Sequence, residues 1–273
     1  MEKFNFKNET RNNIHMEEHA KGLGEYWTES QELFSKIYKT GVRKYLETLP
    51  ILSEGFRLED HSVRCIDEGT PGGIHVAGSG ILLSASDKKE QLEQLVEELV
   101  GAGADGVYSH EGCGAAKLYA ETVMGNLDGA KDYAVEWAKK LALRLDAPYK
   151  GHITDLARPK EFHNARIAYY DGSGKFDPFK IKEIPDGFII SRYYLDSEYA
   201  REELKIALSI AFGHHGFGDK FTKDNPFIIV PIEKFVTKRK DISLSDLERE
   251  AREISAVYGD RVIVEGIREP LQE

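Results

Sequence analysis

From Ser62 to Leu145 short β-branched runs alternate with amphipathic stretches, and that alternation limits the folds open to the chain. Ser62-Val-Arg-Cys-Ile-Asp67, Gly73-Ile-His-Val-Ala-Gly78 and Gly106-Val-Tyr-Ser-His110 read as strands bounded by glycine and proline. Between the second and third, Leu92, Leu95, Val96 and Leu99 recur at helical spacing until Gly101-Ala-Gly103 stops the helix. Another helix over 127–145 carries Tyr133, Trp137, Leu141 and Leu145 on one stripe. Strands separated by helices pair in parallel, so the pattern predicts an α/β fold: a mostly parallel β-sheet flanked by helices. The second half continues it, with strands predicted at 165–170, 187–194, 226–231 and 261–265. Helices are predicted over 197–212 and 243–258, the latter capped by Ser243 or Ser245. Residues 1–50 read as an N-terminal helical arm, with Phe34, Ile37, Tyr38, Val42 and Tyr45 at three-to-four-residue spacing before Pro50. Residues 51–273 then form a single α/β domain.

Composition excludes several functions. With 41% hydrophobic and 31% charged residues, the chain can bury a core. A formal net charge of -10 argues against a nucleic-acid partner. No apolar run approaches the ~20 residues of a membrane helix, and the N-terminus lacks the apolar core of a secretory signal. No membrane partner is expected, and the expected location is cytoplasmic.

The chain has two cysteines, too few for a disulfide framework in a domain this size. Each lies at a strand end. Residues two apart on a strand face the same way, so Cys65 and Asp67 project together near the end of the first strand. His110 ends the third strand, and Cys113 follows where the next helix begins. Ligands gather at the carboxyl edge of open α/β sheets, which brings the two stretches together. Two thiolates and an imidazole suit a zinc-like ion, and three protein ligands leave a fourth position for water. Asp67 either hydrogen-bonds that water or fills the fourth position itself.

Cys65-x-Asp67 followed by His110-x-x-Cys113-Gly114 resembles the signature of the β-class carbonic anhydrases. Gly73-Ile-His-Val-Ala-Gly-Ser-Gly80 is similar to that family's strand ending in an Ala-Gly turn at the active-site floor. The resemblance covers about residues 60–125. It implies one Zn²⁺ per chain, or Cd²⁺ or Co²⁺, held by Cys65, His110 and Cys113. It implies a lyase that reversibly hydrates carbon dioxide to bicarbonate, with Asp67 as the catalytic carboxylate orienting the metal-bound hydroxide. Gly78, Ser79 and Gly80 would offer N–H groups to bicarbonate, and His75, His214 or His215 would carry the proton away. It also implies a homodimer or higher homo-oligomer. Hydrolysis of COS or CS₂, and a structural site closed by Asp67, are the alternatives. One departure stands out: the family's arginine two residues after the aspartate is Gly69 here, and Arg64 should point to the opposite face.

Overall fold

The structure, a computed structural model, describes residues 6–235 and 242–270, with backbone alone for 6–21 and Ser86. Helix α1 (Phe6–Thr40) ends at Gly41, whose φ of 88° turns the chain into α2 (Val42–Glu47). The first half then runs β1 (Ser62–Arg64), β2 (Ile74–His75), α3 (Lys89–Gly101), β3 (Gly106–His110), α4 (Gly114–Tyr119), α5 (Ala130–Arg144) and β4 (Tyr149–Ile153). The second half runs β5 (Ile167–Asp171), β6 (Phe188–Ile190), α6 (Ser197–Ala211), β7 (Phe227–Glu233), α7 (Leu244–Ser255), β8 (Val262–Val264) and β9 (Ile267–Arg268). Every strand pairing among the described residues is parallel, as the helix-separated strand signals require.

The strands fall into two sheets, ordered β2-β1-β3-β4 and β6-β5-β7-β8, with β9 also paired to β7. The sheets abut: Ile189 N–H donates to the Ile66 carbonyl, and Ser191 N–H to that of His75. The turn at Cys65–Asp67 interrupts the ladder there, which makes two sheets of what the strand pattern alone suggests as one.

Alternation along the second sheet sets its layers. Ile167 and Tyr169 of β5, with Ile228, Val230 and Ile232 of β7, face a core built with Phe34, Ile37, Val42 and Tyr45. From Phe34 onward the N-terminal helices are therefore a layer of the domain. Ala168, Tyr170, Phe227 and Ile229 face the other way, into a larger core shared with α3, α5, α6 and α7. The stripes expected on two of those helices are buried, as Leu92, Leu95 and Leu99 on α3 and Trp137 and Leu141 on α5. Ser243 caps α7, accepting from the Asp246 N–H.

In the first sheet, successive connections leave β1 in opposite directions, first to β2 and then across to β3. Such a switch point opens a crevice beyond the carboxyl ends of the two strands. Cys65 and His110 occupy those two ends.

Candidate metal centre

The switch point gathers the three expected ligands. Cys65 follows β1, His110 ends β3, and Cys113 is the N-cap of α4. Their ligand atoms lie within 4.8 Å of one another, and the residues are only 5%, 3% and 5% exposed. The two sulfurs are 3.9 Å apart. Two Zn–S bonds of ~2.3 Å at a tetrahedral angle place sulfurs about 3.8 Å apart, so the spacing fits a zinc-sized ion. The His110 Nδ1–H donates to the Glu111 carbonyl at 3.0 Å, so Nε2 is the ring nitrogen left for a metal. That Nε2 is buried without a hydrogen-bond partner. An orphaned imidazole nitrogen beside two thiols is the mark of a ligand set, and these residues could hold a metal ion.

The surroundings prepare the thiols. Gly78 N–H donates to the Cys65 sulfur at 3.1 Å. The Cys113 thiol is lowered because Cys65 donates to its sulfur and the Ala116 and Ala115 N–H groups add support against burial. Burial pushes the Cys65 thiol well up. For His110 burial opposes the charge, but the Cys65 sulfur and the Asp67 carboxylate outweigh it and raise the imidazole to about 9.

The turn over the thiols is left-handed: Gly78, Ser79 and Gly80 have φ of 55°, 54° and 84°. A Cβ on Gly78 would meet Ile81 at 2.7 Å, Ala115 at 3.0 Å and the Cys113 sulfur at 3.4 Å, so only glycine fits. The non-glycine Ser79 is held by its hydroxyl, which donates to the Tyr108 carbonyl, and by the Trp137 indole N–H on its own carbonyl. The resemblance gave the Gly78, Ser79 and Gly80 amides to bicarbonate, and two of those three are engaged within the protein. The Gly78 N–H is committed to the Cys65 sulfur and the Ser79 N–H to the Val76 carbonyl, while Gly80 is buried against Leu95. The turn supports a ligand. Beneath it, the buried Glu203 of α6 accepts the Ala77 N–H at 2.7 Å; burial drives its carboxyl well above the usual range.

Asp67 is clamped by a residue the sequence did not point to. Arg158 Nε donates to Oδ1 and Nη2 to Oδ2, each at 2.7 Å, and the Gly69 N–H also donates to Oδ1. Burial alone would raise the Asp67 carboxyl, but Arg158 and the nearby His110 and His163 hold it well below the carboxylate range. Oδ2 lies 3.9 Å from the His110 Nδ1. Arg158 also donates to the Pro159 and Phe162 carbonyls, which fix the guanidinium. Its stem packs where a side chain at position 69 would begin. A Cβ on Gly69 would stand 2.8 Å from Arg158 Cγ and 2.9 Å from Asp67 Oδ1. Arg64 does face elsewhere, pairing with Asp60 and lying over the Tyr108 ring. A second acidic group, Asp67, Glu68 and His163, lies alongside. There His163 Nδ1 and the Asn164 N–H donate to Glu68, while Arg158 takes Asp67.

Of the proposed proton carriers, His75 is 1% exposed, with its Nδ1 2.6 Å from the Cys65 carbonyl, and burial lowers its pKa to about 4. Its place is that of a support for the Cys65 backbone. His214 and His215 are exposed and line a cavity bordered by Arg158 and Gly114. A tighter space beside Cys65 and Asp67 is walled by Ile66, Ala115, Phe188, Ile206 and Ile210. Among the described residues no helix is long and apolar enough to cross a membrane. No protein-family profile, curated protein or solved structure matches this chain.

Proposed function

We propose that this chain is a metal-dependent hydratase of small linear molecules, with carbon dioxide as the first substrate and COS and CS₂ as the close alternatives. The observation that carries the reading is a carboxylate, Asp67, locked by Arg158 beside a Cys-His-Cys set whose His110 Nε2 has no hydrogen-bond partner. Cys65, His110 and Cys113 would hold a zinc-like ion, which would supply the Lewis acidity that makes a water a nucleophile near neutral pH. The protein does the rest. Arg158 keeps Asp67 ionised and turned toward its own guanidinium, so the carboxylate remains a hydrogen-bond acceptor instead of a fourth ligand. Asp67 would then serve as the acceptor that orients the water. The apolar walls from Ile66, Phe188, Ile206 and Ile210 suit an uncharged substrate with no polar groups of its own. Gly78 and the Ala115–Ala116 amides hold the thiolates and temper their charge.

A stopped-flow pH-indicator assay on metal-loaded protein tests the activity. The expected outcome is carbon dioxide hydration above buffer between pH 7 and 9, lost in Asp67→Asn. A rate no faster than buffer removes the reading. The depth of the cluster favours one rival, a closed structural site without chemistry. Cobalt-substituted protein separates them, because the absorption of an open site shifts with pH and added anions and that of a closed one does not.

A further inference from the structure

A cavity of about 280 Å³ opens beside the metal cluster, lined in part by Gly112, Gly114, Lys117, Arg158, Lys160 and His163. At ~30 Å³ per water it has room for roughly nine waters, which puts it near the low end of small-molecule sites. Carbon dioxide or bicarbonate would leave most of it empty. Its charges are unbalanced. The Arg158 guanidinium is matched by Asp67, and the His163 ring is bonded to Glu68. Lys117 and Lys160 have no ion pair or side-chain hydrogen bond among the described residues, in a chain whose formal net charge is -10. Glu161 is the one carboxylate on the wall, and it pairs with neither lysine. Two uncompensated ammonium groups at a cleft attract an anion. Phe162 and Ile210 give the same cleft an apolar side. The cavity shares Gly114, His163 and Ile210 with the tight space beside Asp67, so an occupant would stand at the mouth of that space.

We propose that this cavity binds a small organic oxyanion, its carboxylate or phosphate group on Lys117 and Lys160 and its carbon skeleton against Phe162 and Ile210. The site goes beyond the hydratase reading and needs no metal. Titration calorimetry on the full-length, metal-free protein at physiological ionic strength tests it with two probe series. One is acetate, malonate and succinate; the other is inorganic phosphate and glycerol phosphate. The expected result is saturable one-to-one binding in at least one series, and the tighter series identifies the source of the oxyanion. Loss of one charged hydrogen bond predicts about tenfold weaker binding in Lys117→Met and in Lys160→Met, with recovery in Lys117→Arg. Both lysines are exposed, so these variants retain the fold. No saturable heat in either series, or binding unchanged in the double Met variant, overturns the proposal. Repeating the titration on zinc-loaded protein separates the two readings. Equal binding with and without zinc supports an independent anion site, and binding seen only in the zinc-loaded protein places the anion on the metal and overturns it.

Discussion

Gly69 and Arg158 show what one residue contributes and what sequence spacing can reveal. Cys65, Asp67, His110 and Cys113 were legible because each sits within a few residues of a strand end, where local pattern fixes position. Arg158 was not, because it reaches Asp67 across 91 residues and no local signal announces such a contact. Its trace in the sequence is negative: a glycine where the resemblance calls for a large cation. Gly69→Ala is therefore expected to displace Arg158 and to cost ten- to a hundredfold in activity, the usual effect of disturbing a partner of a metal-site group. Thermal melting should show that variant still folded. Arg158→Ala goes further. It leaves a buried carboxylate without its partner and should cost about 3–5 kcal/mol in urea unfolding. Arg158→Lys should not restore activity, since an ammonium cannot make the paired contacts to both oxygens. At the ligands themselves, Cys113→Ser or His110→Ala should abolish stoichiometric zinc in elemental analysis of purified protein.

The elements divide by how much of their stability is local. The stripes of α3 and α5 and the β-branched runs of β5 and β7 announce themselves by period. β4 carries no such signal: Tyr149-Lys-Gly-His-Ile153 is polar, has Gly151 at φ 125°, and is a strand only because β3 supplies its partner. The strand expected over Gly73–Gly78 runs into the 77–84 turn, since Ile74 to Val76 is extended and the reversal begins only at Gly78. The helix α6 carries a further hidden role. Glu203 is a buried acid on an otherwise apolar face, and its Oε1 anchors the turn that feeds an N–H to Cys65. Glu203→Gln keeps an acceptor and should leave metal affinity near that of the wild type. Glu203→Leu strands the Ala77 N–H, and should cost about 1–3 kcal/mol in stability and weaken zinc in a competition titration.

At the scale of the whole molecule, one buried carboxylate ties the second sheet to two of its helices. Glu250 of α7 accepts from Tyr170 of β5, from Arg192 beyond β6 and from Ser197 of α6. Burial would raise its pKa, but the hydrogen bonds from Arg192, Ser197 and Tyr170 lower it. A group lowered on folding stabilises fully above its unfolded pKa, near ~4.3 for Glu, and that contribution fades as pH falls through the folded value. Melting temperature should thus fall on acidification below about pH 4.5. Glu250→Gln should flatten that acid limb while lowering stability at neutral pH by about 3–5 kcal/mol. The two backbone bonds joining the sheets carry a different consequence. The Ile189 amide is held by the carbonyl of Ile66, the residue between Cys65 and Asp67, so it can exchange with deuterated solvent only when the ligand loop breathes. Loading the cluster with zinc should slow that single amide, giving a spectroscopic clock, lodged in one half of the protein, for events in the other.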